Sequence, residues 1–428
     1  MRKRLILTIL MIFSILVLNS LVVAAEQVTL QFMGWEASPF ETSITEQSLK
    51  QFMKENPDIK VEYTPVSGEY PAKLLTMIAG NAAPDVFFIA SDSYRSFQKR
   101  GVLLNLTEYF NKEMDIDEFI PLAQDKMLIN GEIYGVSSCD VSPVLFYNKK
   151  LFDEAGLPYP PNDPEKAWPW DKFVDVAKQL TVKKNGKTVQ YGVSGFTIEW
   201  VSAFSAMVKS NGGRVFNEDY TELLLDSPEA KEALVEIKNL QRVYGVSPLV
   251  IANVQQGGIS STQMLQTGRL AMLVDGSWTL QQLAEMDFPL GIGVLPKFKE
   301  PVTIGQAHLY SAWIKTKHPD EAWKLIKFVS SREYQTKLVR TGIWLPNRMD
   351  MYEEENLANW MNPDVYPDDF GNMVKYFTNY AELWVAVKVP SEAWSIINEE
   401  LGNFFVTDQS IDTVISRMKK RVDPILNK

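Results

Sequence analysis

The chain of 428 residues has very few of the side chains that bind transition metals. It contains two histidines, His308 and His318, and one cysteine, Cys139. Zinc and related ions draw on these ligand types, so a transition-metal site has almost none available. The acidic turn at 364–369 lacks the spacing of an EF-hand, and a structural calcium there stays open. We expect neither a metal nor a cofactor.

Motifs of catalysis and of nucleotide binding are also missing. No G-x-x-x-x-G-K-[ST] loop occurs, and residues 192–195 miss the G-x-S-x-G spacing of serine hydrolases. The single thiol cannot form an intramolecular disulfide, so stability must come from core burial. An enzyme hypothesis then depends on paired carboxylates, and 53 acidic residues allow such pairs anywhere. A secreted glycoside hydrolase remains the enzyme alternative.

The overall composition is that of a large folded protein. Hydrophobic residues make up 46% and charged residues 22%, with 23 Gly and 23 Pro, which excludes a disordered, collagenous or coiled-coil chain. About 400 residues without the leader exceed one ordinary core, so two packed lobes are expected. Loss of Arg2, Lys3 and Arg4 with the leader leaves 40 basic against 53 acidic residues, a net charge of −13. Nucleic acid and anionic membranes are therefore poor partners.

Residues 1–25 have the pattern of a removable signal peptide. A basic start precedes an apolar run at 5–18, and small residues precede the polar Glu26. The alternative is a permanent anchor helix, which polar residues such as Asn19 weaken. No cysteine lies near the end of the segment, so we exclude lipid attachment there. We expect an exported, unlipidated protein of the periplasm or another extracytoplasmic space.

After the leader, strand patterns alternate with helix patterns. Alternating apolar residues predict strands at 28–32 and 59–63, and the apolar run at 86–89 predicts a strand buried on both faces of a parallel sheet. Ser43-x-x-Glu46 is typical of a capping box and predicts the start of a helix. Asn185-Gly186 predicts a tight hairpin. The fold class is therefore α/β.

Several predicted strands end in side chains suited to sugar recognition. These are Trp35 and Glu36 after the first strand, Asp92 after the strand at 86–89, and Gly276-Ser277-Trp278 after a strand at 271–275. In open α/β sheets, ligands bind outside the carboxyl ends of the strands, so these side chains should share one crevice. Indole rings stack on the C–H faces of sugars, and carboxylates accept hydrogen bonds from hydroxyls. The pattern favours a sugar site.

Five further motifs follow one another along the chain. They are GNAAPDVF at 80–87, NGEIYG at 130–135, FYNK at 146–149, GRLAM with GSW at 268–278, and AWKLIKF at 322–328. In this order they resemble the motifs of the family-1 extracellular solute-binding proteins of sugar ABC transporters, the maltose-binding-like group. The resemblance implies the type II periplasmic-binding-protein fold, with two α/β lobes, a hinge, an interlobe ligand cleft and no catalysis.

The resemblance also implies lobe boundaries. We expect a signal peptide at 1–25, an N-terminal α/β lobe of 26–138 plus about 303–345, and a C-terminal α/β lobe of 139–302 plus about 346–428. The chain should cross between the lobes near 137–140 and 301–305, where the hinge would lie. Lobes joined in this way close over their ligand.

Ligand contacts can be assigned residue by residue. The resemblance implies them for Asp92, Asp140, Glu199, Trp200, Trp278 and Trp394, and position adds Trp35, Glu36, Gly276, Gln306, His308 and Trp344. Acidic side chains outnumber cations in this set, which favours a neutral polyhydroxy ligand over a uronate. A ligand carboxylate would need a partner such as Arg95 or Arg348.

The predicted function is the capture of a sugar, an oligosaccharide in our interpretation, and its delivery to the membrane permease of an ABC importer. We expect a monomer that is not an enzyme and that binds no nucleic acid. A sugar-sensing receptor or adhesin would have the same pocket and remains a second alternative. The sequence patterns leave the identity and length of the sugar open.

Overall fold

A computed structural model describes residues 27–36, 38–89, 93–196, 201–249 and 259–427, without the side chains of residues 201, 202 and 307. The predicted leader at 1–25 lies outside the described residues. The described chain builds two α/β lobes, each around one β-sheet. Within these ranges, no helix is both long and apolar enough to cross a membrane.

The strands form two main sheets and one short hairpin. In chain order they are β1 (Val28–Trp35), β2 (Ile59–Val66), β3 (Val86–Ile89), β4 (Leu128–Ile129), β5 (Glu132–Ile133), β6 (Gly135–Val141), β7 (Pro143–Asn148), β8 (Val182–Lys184), β9 (Lys187–Ser194), β10 (Leu270–Gly276), β11 (Leu290–Gly293), β12 (Thr303–Ala312) and β13 (Ala381–Leu383). The first sheet has the order β13-β12-β3-β1-β2, with β6 also paired to β12. The second has the order β11-β7-β10-β9-β8.

Helices cover the sheets and connect their strands. They are α1 (Pro39–Glu55), α2 (Tyr70–Ala79), α3 (Tyr94–Lys99), α4 (Thr107–Glu113), α5 (Pro121–Met127), α6 (Lys149–Ala155), α7 (Trp170–Gln179), α8 (Val201–Ser210), α9 (Pro228–Arg242), α10 (Ser261–Gln266), α11 (Thr279–Ala284), α12 (Pro319–Val329), α13 (Arg332–Val339), α14 (Glu354–Trp360), α15 (Val374–Asn379), α16 (Ser391–Val406) and α17 (Ile411–Leu426). Short 3-10 helices lie at Ile116–Glu118, Pro164–Lys166, Met349–Tyr352, Phe370–Met373 and Val385–Lys388.

The first sheet has the parallel core that the sequence predicted. β1 pairs in parallel with β2 and with β3, and all four residues of β3 are buried. β12 runs antiparallel to β3, with Leu309 opposite Ile89, the last residue of β3. The first part of β12 therefore extends beyond the carboxyl end of β3, where ligands bind in open α/β sheets.

The chain passes from the first sheet to the second at Ser142. β6 pairs with β12 as far as Val141, and β7, from Pro143, pairs with β10 and β11 in the second sheet. Two hydrogen bonds between Ser142 and Ser277 hold the passage. The Ser142 N–H donates to Ser277 Oγ at 3.3 Å, and the Ser277 N–H donates to the Ser142 carbonyl at 2.9 Å. The passage lies later than predicted near 137–140, because pairing with β12 keeps those residues in the first sheet.

Helix α1 begins before the predicted capping box. Ser38 is the N-cap, its Oγ accepts a hydrogen bond from the Glu41 N–H at 3.2 Å, and Pro39 takes the first helical position. Proline lacks an N–H and has a helical φ, so it fits this position without loss of a hydrogen bond. Ser43 lies inside the helix, and the prediction that it caps the helix was wrong.

Two glycines allow backbone conformations and contacts that the second sheet requires. Asn185-Gly186 joins β8 to β9 as predicted, with positive φ angles of 52° and 76°. Gly195, directly after β9, has φ +105°, and a Cβ there would lie 1.9 Å from the carbonyl oxygen of Val274 in β10. Only glycine permits this contact between β9 and β10.

The last two helices pack with the second lobe. Asp423 of α17 accepts a hydrogen bond from the Leu223 N–H at 3.1 Å, and Lys419 donates to Asp226 at 2.9 Å. Between the two helices, the buried Glu400 of α16 accepts a hydrogen bond from Arg417 of α17 at 2.7 Å. The C-terminal segment is thereby fixed to residues that follow α8.

Candidate functional site

Four aromatic rings lie together where β1 ends and β12 passes the end of β3. Trp35, the last residue of β1, is 37% exposed and meets Phe88 edge-on at a ring-centroid distance of 5.9 Å. His308 of β12 stacks on Phe88 at 5.2 Å and lies 6.4 Å from Trp35. Trp344 meets His308 edge-on at 5.1 Å. We call these four residues the first-lobe aromatic group; it unites three of the predicted contact residues.

His308 gives this group a polar, uncharged member. Its imidazole is 6% exposed, and Nδ1 has no hydrogen-bond partner among the described residues. Burial lowers the pKa of His308 to about 3, and the nearby Lys126 ammonium contributes in the same direction. The ring is therefore neutral at physiological pH and has one donor and one acceptor nitrogen. A sugar hydroxyl, which both donates and accepts, matches such a ring.

The buried neutral imidazole should make the protein less stable in acid. The folded-state pKa of about 3 lies below the unfolded value, so between the two only the unfolded chain takes up the proton. From pH ~6 down to pH ~4, we expect the free energy of unfolding to fall by up to ~1.4 kcal/mol per pH unit through His308. Urea denaturation of the wild type and of His308→Gln at several pH values measures this contribution.

The matched control for this prediction is His318→Gln. His318 is the other histidine and lies half-buried at the start of α12. His308→Gln should flatten the pH dependence, and His318→Gln, measured alongside, controls for the loss of a histidine as such. Equal pH slopes for the wild type and His308→Gln would contradict a buried neutral imidazole at position 308.

Trp344 is fixed by an acceptor inside the first lobe. Its indole N–H donates to Oε1 of Glu41 at 2.8 Å, and the side chain is buried. Glu41 stands in the first turn of α1, where a carboxylate also interacts favourably with the helix N-terminus. The sequence reasoning missed Glu41, and the acidic residue in a first helical turn was the signal. In this arrangement the fixed indole of Trp344 packs edge-on against the His308 ring.

Asp140 lies in β6, two residues before the passage between the sheets. Its side chain is fully buried in β6, and its backbone N–H and C=O both pair with Leu345 at 2.9 Å. Oδ2 accepts from Ser142 Oγ at 3.4 Å, and Oδ1 has no partner among the described residues. Burial raises the pKa of Asp140 well above its usual range. Burial thus disfavours the ionised form of this carboxyl group.

The segment after β10 places Trp278 against the backbone. A Cβ on Gly276 would lie 1.9 Å from Cη2 of the Trp278 indole, so the ring occupies the space above this glycine. Trp278 is half-buried, and Ser277 between them bonds to Ser142. Gly276 and Trp278 therefore stand next to the passage between the sheets, at the carboxyl end of β10.

Trp394 belongs to a second aromatic cluster. Its ring stacks on Phe204 of α8 at 6.2 Å and contacts Phe216 at 6.3 Å. Trp384, which directly follows β13, meets Trp394 at 5.4 Å. Sequence reasoning missed Trp384, although its position after a strand is the signal that selected Trp35. A strand of three residues is too short to show a pattern.

The two remaining described candidates are Glu36 and Gln306. Glu36 is half-buried, and its N–H donates to the Val66 carbonyl at 3.0 Å, which ties the ends of β1 and β2 together. Gln306 of β12 is half-buried opposite Val141. The predicted contacts Asp92, Glu199 and Trp200 lie outside the described residues. In the part of the chain that the structure describes, no three His, Cys, Asp or Glu side chains come together to hold a metal ion.

Comparison with known proteins supports the resemblance. The family model of the bacterial extracellular solute-binding proteins matches residues 37–336. An ABC substrate-binding protein of Listeria monocytogenes, solved in complex with cycloalternan, is 26% identical with a TM-score of 0.78, covering 94% of this chain and 99% of that protein. MalE of Xanthomonas citri, a sugar-binding protein, shows the same fold, with 20% identity, a TM-score of 0.78 and coverage of 94% and 98%.

A curated relative extends this similarity. The arabinooligosaccharide-binding protein of Halalkalibacterium halodurans is 26% identical over 281 residues, which is 65% of this chain and 60% of the relative. The two-lobe fold and the family resemblance inferred from the sequence are thus confirmed. The chain belongs to the bacterial extracellular solute-binding proteins.

Proposed function

We propose that this protein captures a sugar, and an oligosaccharide in particular, outside the cytoplasm and delivers it to the permease of an ABC importer. The first-lobe aromatic group carries the proposal, because an exposed indole lies beside a neutral imidazole at the carboxyl edge of the sheet. The indole face suits sugar C–H groups, and the imidazole suits a hydroxyl. The cycloalternan complex of the Listeria protein and the name of the Halalkalibacterium relative support a carbohydrate ligand.

The proposed ligand contacts are those expected from the sequence. They are Trp35, Glu36, Asp92, Asp140, Glu199, Trp200, Gly276, Trp278, Gln306, His308, Trp344 and Trp394. The proposed lobes keep their predicted extents, 26–138 with about 303–345 and 139–302 with about 346–428, except that β13 pairs with β12 in the first sheet and that the first boundary moves. Pairing of β6 with β12 supports a boundary at Ser142 in its place.

A neutral ligand fits the charges near the site. Arg348, one cation suggested as a partner for a ligand carboxylate, donates to Glu118 and lies 5.0 Å from the centre of the Phe119 ring. A guanidinium engaged in this way is less available to a uronate. Calorimetry should show tighter binding of neutral glycans than of a galacturonate oligomer, and the reverse order would contradict a neutral ligand.

A thermal-shift screen of glycans tests the proposed function. A ligand that binds only the folded protein raises its melting temperature by mass action. We expect at least one neutral oligosaccharide to do so, and calorimetry then gives its affinity. Chromatography of that sugar after incubation should show no turnover, whereas hydrolysis beyond one equivalent would indicate the glycoside hydrolase. Uptake into vesicles that carry the permease distinguishes a transport protein from a sensing receptor or adhesin.

The proposal includes export by a cleaved, unlipidated signal peptide. Mass spectrometry of the protein recovered from outside the cytoplasm should give a chain that starts near Glu26 without a lipid. A retained leader would support the anchor alternative instead. The same sample, run on a size-exclusion column with light scattering, tests the proposed monomer.

Lobe closure over the ligand should be measurable in solution. Contacts from both sheets, such as Trp35 and Trp278, can meet one sugar only if the lobes move together after the sugar enters. The permease would distinguish the closed form, which the ligand favours through its differential affinity. Small-angle scattering should show a smaller radius of gyration at saturating sugar. An unchanged radius would place the site within a single lobe.

A lysine that contacts both lobes should contribute to closure. Lys388 donates to both oxygens of Asp125 in α5, at 2.7 and 2.8 Å, and lies 5.5 Å from the ring centre of Tyr220 near α8. Partly exposed pairs are worth up to about 1 kcal/mol, so Lys388→Met should weaken sugar binding up to about fivefold. Lys375→Met removes the exposed pair with Glu165 and is the matched control. Equal affinity of the two variants would contradict a role of Lys388 in closure.

A further inference from the structure

Two neighbouring indole N–H groups have no acceptor in the part of the chain that the structure describes. Trp384 and Trp394 meet at right angles, with ring centroids 5.4 Å apart and an interplanar angle of 88°. Nε1 of each ring is buried and has no hydrogen-bond partner among the described residues. Buried polar groups in folded proteins almost always have a partner, because an unmet donor loses the hydrogen bonds it made with water. The two unmet donors require an explanation.

Other buried tryptophans of this protein follow that rule. Their indole N–H groups donate to Glu236 from Trp170, to Glu113 from Trp323, to Glu41 from Trp344 and to the Met351 carbonyl from Trp360. The donor–acceptor distances lie between 2.7 and 3.2 Å. The fold thus supplies acceptors to buried indoles elsewhere, and the pair Trp384 and Trp394 is different.

The pair lies on the side of the first sheet where the parallel strands end. The backbone N–H of Trp384 donates to the Gly305 carbonyl at 2.9 Å, which fixes it beside the first part of β12. That part of β12 extends beyond the carboxyl end of β3. The 3-10 helix at Val385–Lys388 contacts α3, the helix that follows β3. Trp384 therefore belongs to the same edge as the first-lobe aromatic group, whereas Trp394 comes from α16 with the second lobe.

We infer that Trp384 is a ligand-contacting residue, and that Trp384 and Trp394 donate their indole N–H groups to oxygen atoms of the bound sugar. This inference rests on the proposed function, and it adds a role for Trp394 beyond ring stacking. Hydroxyl and ring oxygens are acceptors that a polyhydroxy ligand offers in every unit. Donors from both lobes would hold such a ligand best when the lobes are closed.

Nuclear magnetic resonance of the full-length mature protein, labelled with ¹⁵N at the tryptophan indoles, tests the inference. Trp384→Phe, Trp394→Phe and Trp360→Phe assign three indole signals, since phenylalanine keeps an aromatic face and removes the N–H. Cycloalternan and maltotriose are the probes. With a probe that binds, the indole proton signals of Trp384 and Trp394 should move downfield, as new hydrogen bonds form. The Trp360 signal should stay, because its donor already bonds to Met351.

Affinity provides the second readout. Calorimetry with the same probe should show about tenfold weaker binding for Trp384→Phe, the loss of one well-formed hydrogen bond, and unchanged binding for Trp360→Phe. If a probe saturates the protein while both indole signals stay in place, the inference is wrong and the proposed function stands. If neither probe changes any signal at millimolar concentration, the proposed function fails for these glucans, and the inference falls with it.

Discussion

Gly276→Ala should weaken carbohydrate binding by about thirtyfold or more, as much as loss of the Trp278 indole itself. The added methyl group would lie 1.9 Å from Cη2 of Trp278, so the ring has to leave its position above the glycine. A central aromatic anchor of a binding site typically contributes about 2 kcal/mol or more, which truncation removes. Calorimetry with the best ligand of the glycan screen measures the change for Gly276→Ala and for Trp278→Ala.

A double variant shows whether the methyl group acts through the indole. Once Trp278 is alanine, the extra methyl group at position 276 meets no ring, so Gly276→Ala/Trp278→Ala should bind no more weakly than Trp278→Ala. Circular dichroism confirms that the variants are folded. Wild-type affinity in folded Trp278→Ala would remove this tryptophan from the site.

Gly195→Ala should lower the free energy of unfolding by about 3 kcal/mol or more. Its Cβ would lie 1.9 Å from the carbonyl oxygen of Val274, and relief requires β9 and β10 to separate. The φ angle of +105° adds backbone strain for any residue with a side chain. Urea denaturation gives the change in the free energy of unfolding.

Gly156→Ala separates the steric cost from the backbone cost. Gly156 follows α6 with φ +66°, and an added Cβ there meets no atom of the described residues within 4 Å. Only the left-handed conformation opposes that alanine, at about 1 kcal/mol. Equal losses in Gly156→Ala and Gly195→Ala would show that the close approach of β9 to β10 costs nothing.

Local patterns were sufficient to predict much of the fold. The buried run at 86–89 and the Asn185-Gly186 turn occur where they were expected, because each depends on a few adjacent residues. The prediction that Ser43 caps helix α1 was wrong because a second start signal precedes it. Ser38 is the N-cap and Pro39 is the first helical residue. A capping motif of four residues contains no information about whether another start precedes it.

The geometry of the site could be predicted only in part. Trp35 lies beside His308, and this contact joins residues far apart in the chain. Trp344 bonds to Glu41 across 303 residues, and no local pattern relates two such positions. Asp140 shows the same limit of local patterns. A sequence motif would place its carboxyl group at a surface, whereas the folded chain buries it fully. Nonlocal packing decides these features.

The position of β12 in the first sheet has a consequence for the newly made chain. β12 lies between β3 and β13, yet more than 200 residues separate β3 from β12 in the sequence. At synthesis rates of about 5–20 residues per second, one edge of β3 waits at least ~10 seconds for its neighbour. An unpaired strand edge invites wrong pairing, and the closing of so long a loop slows folding. The first sheet of this chain can therefore be completed only late in synthesis, and until then the open edge of β3 is the part of the lobe most exposed to wrong pairing.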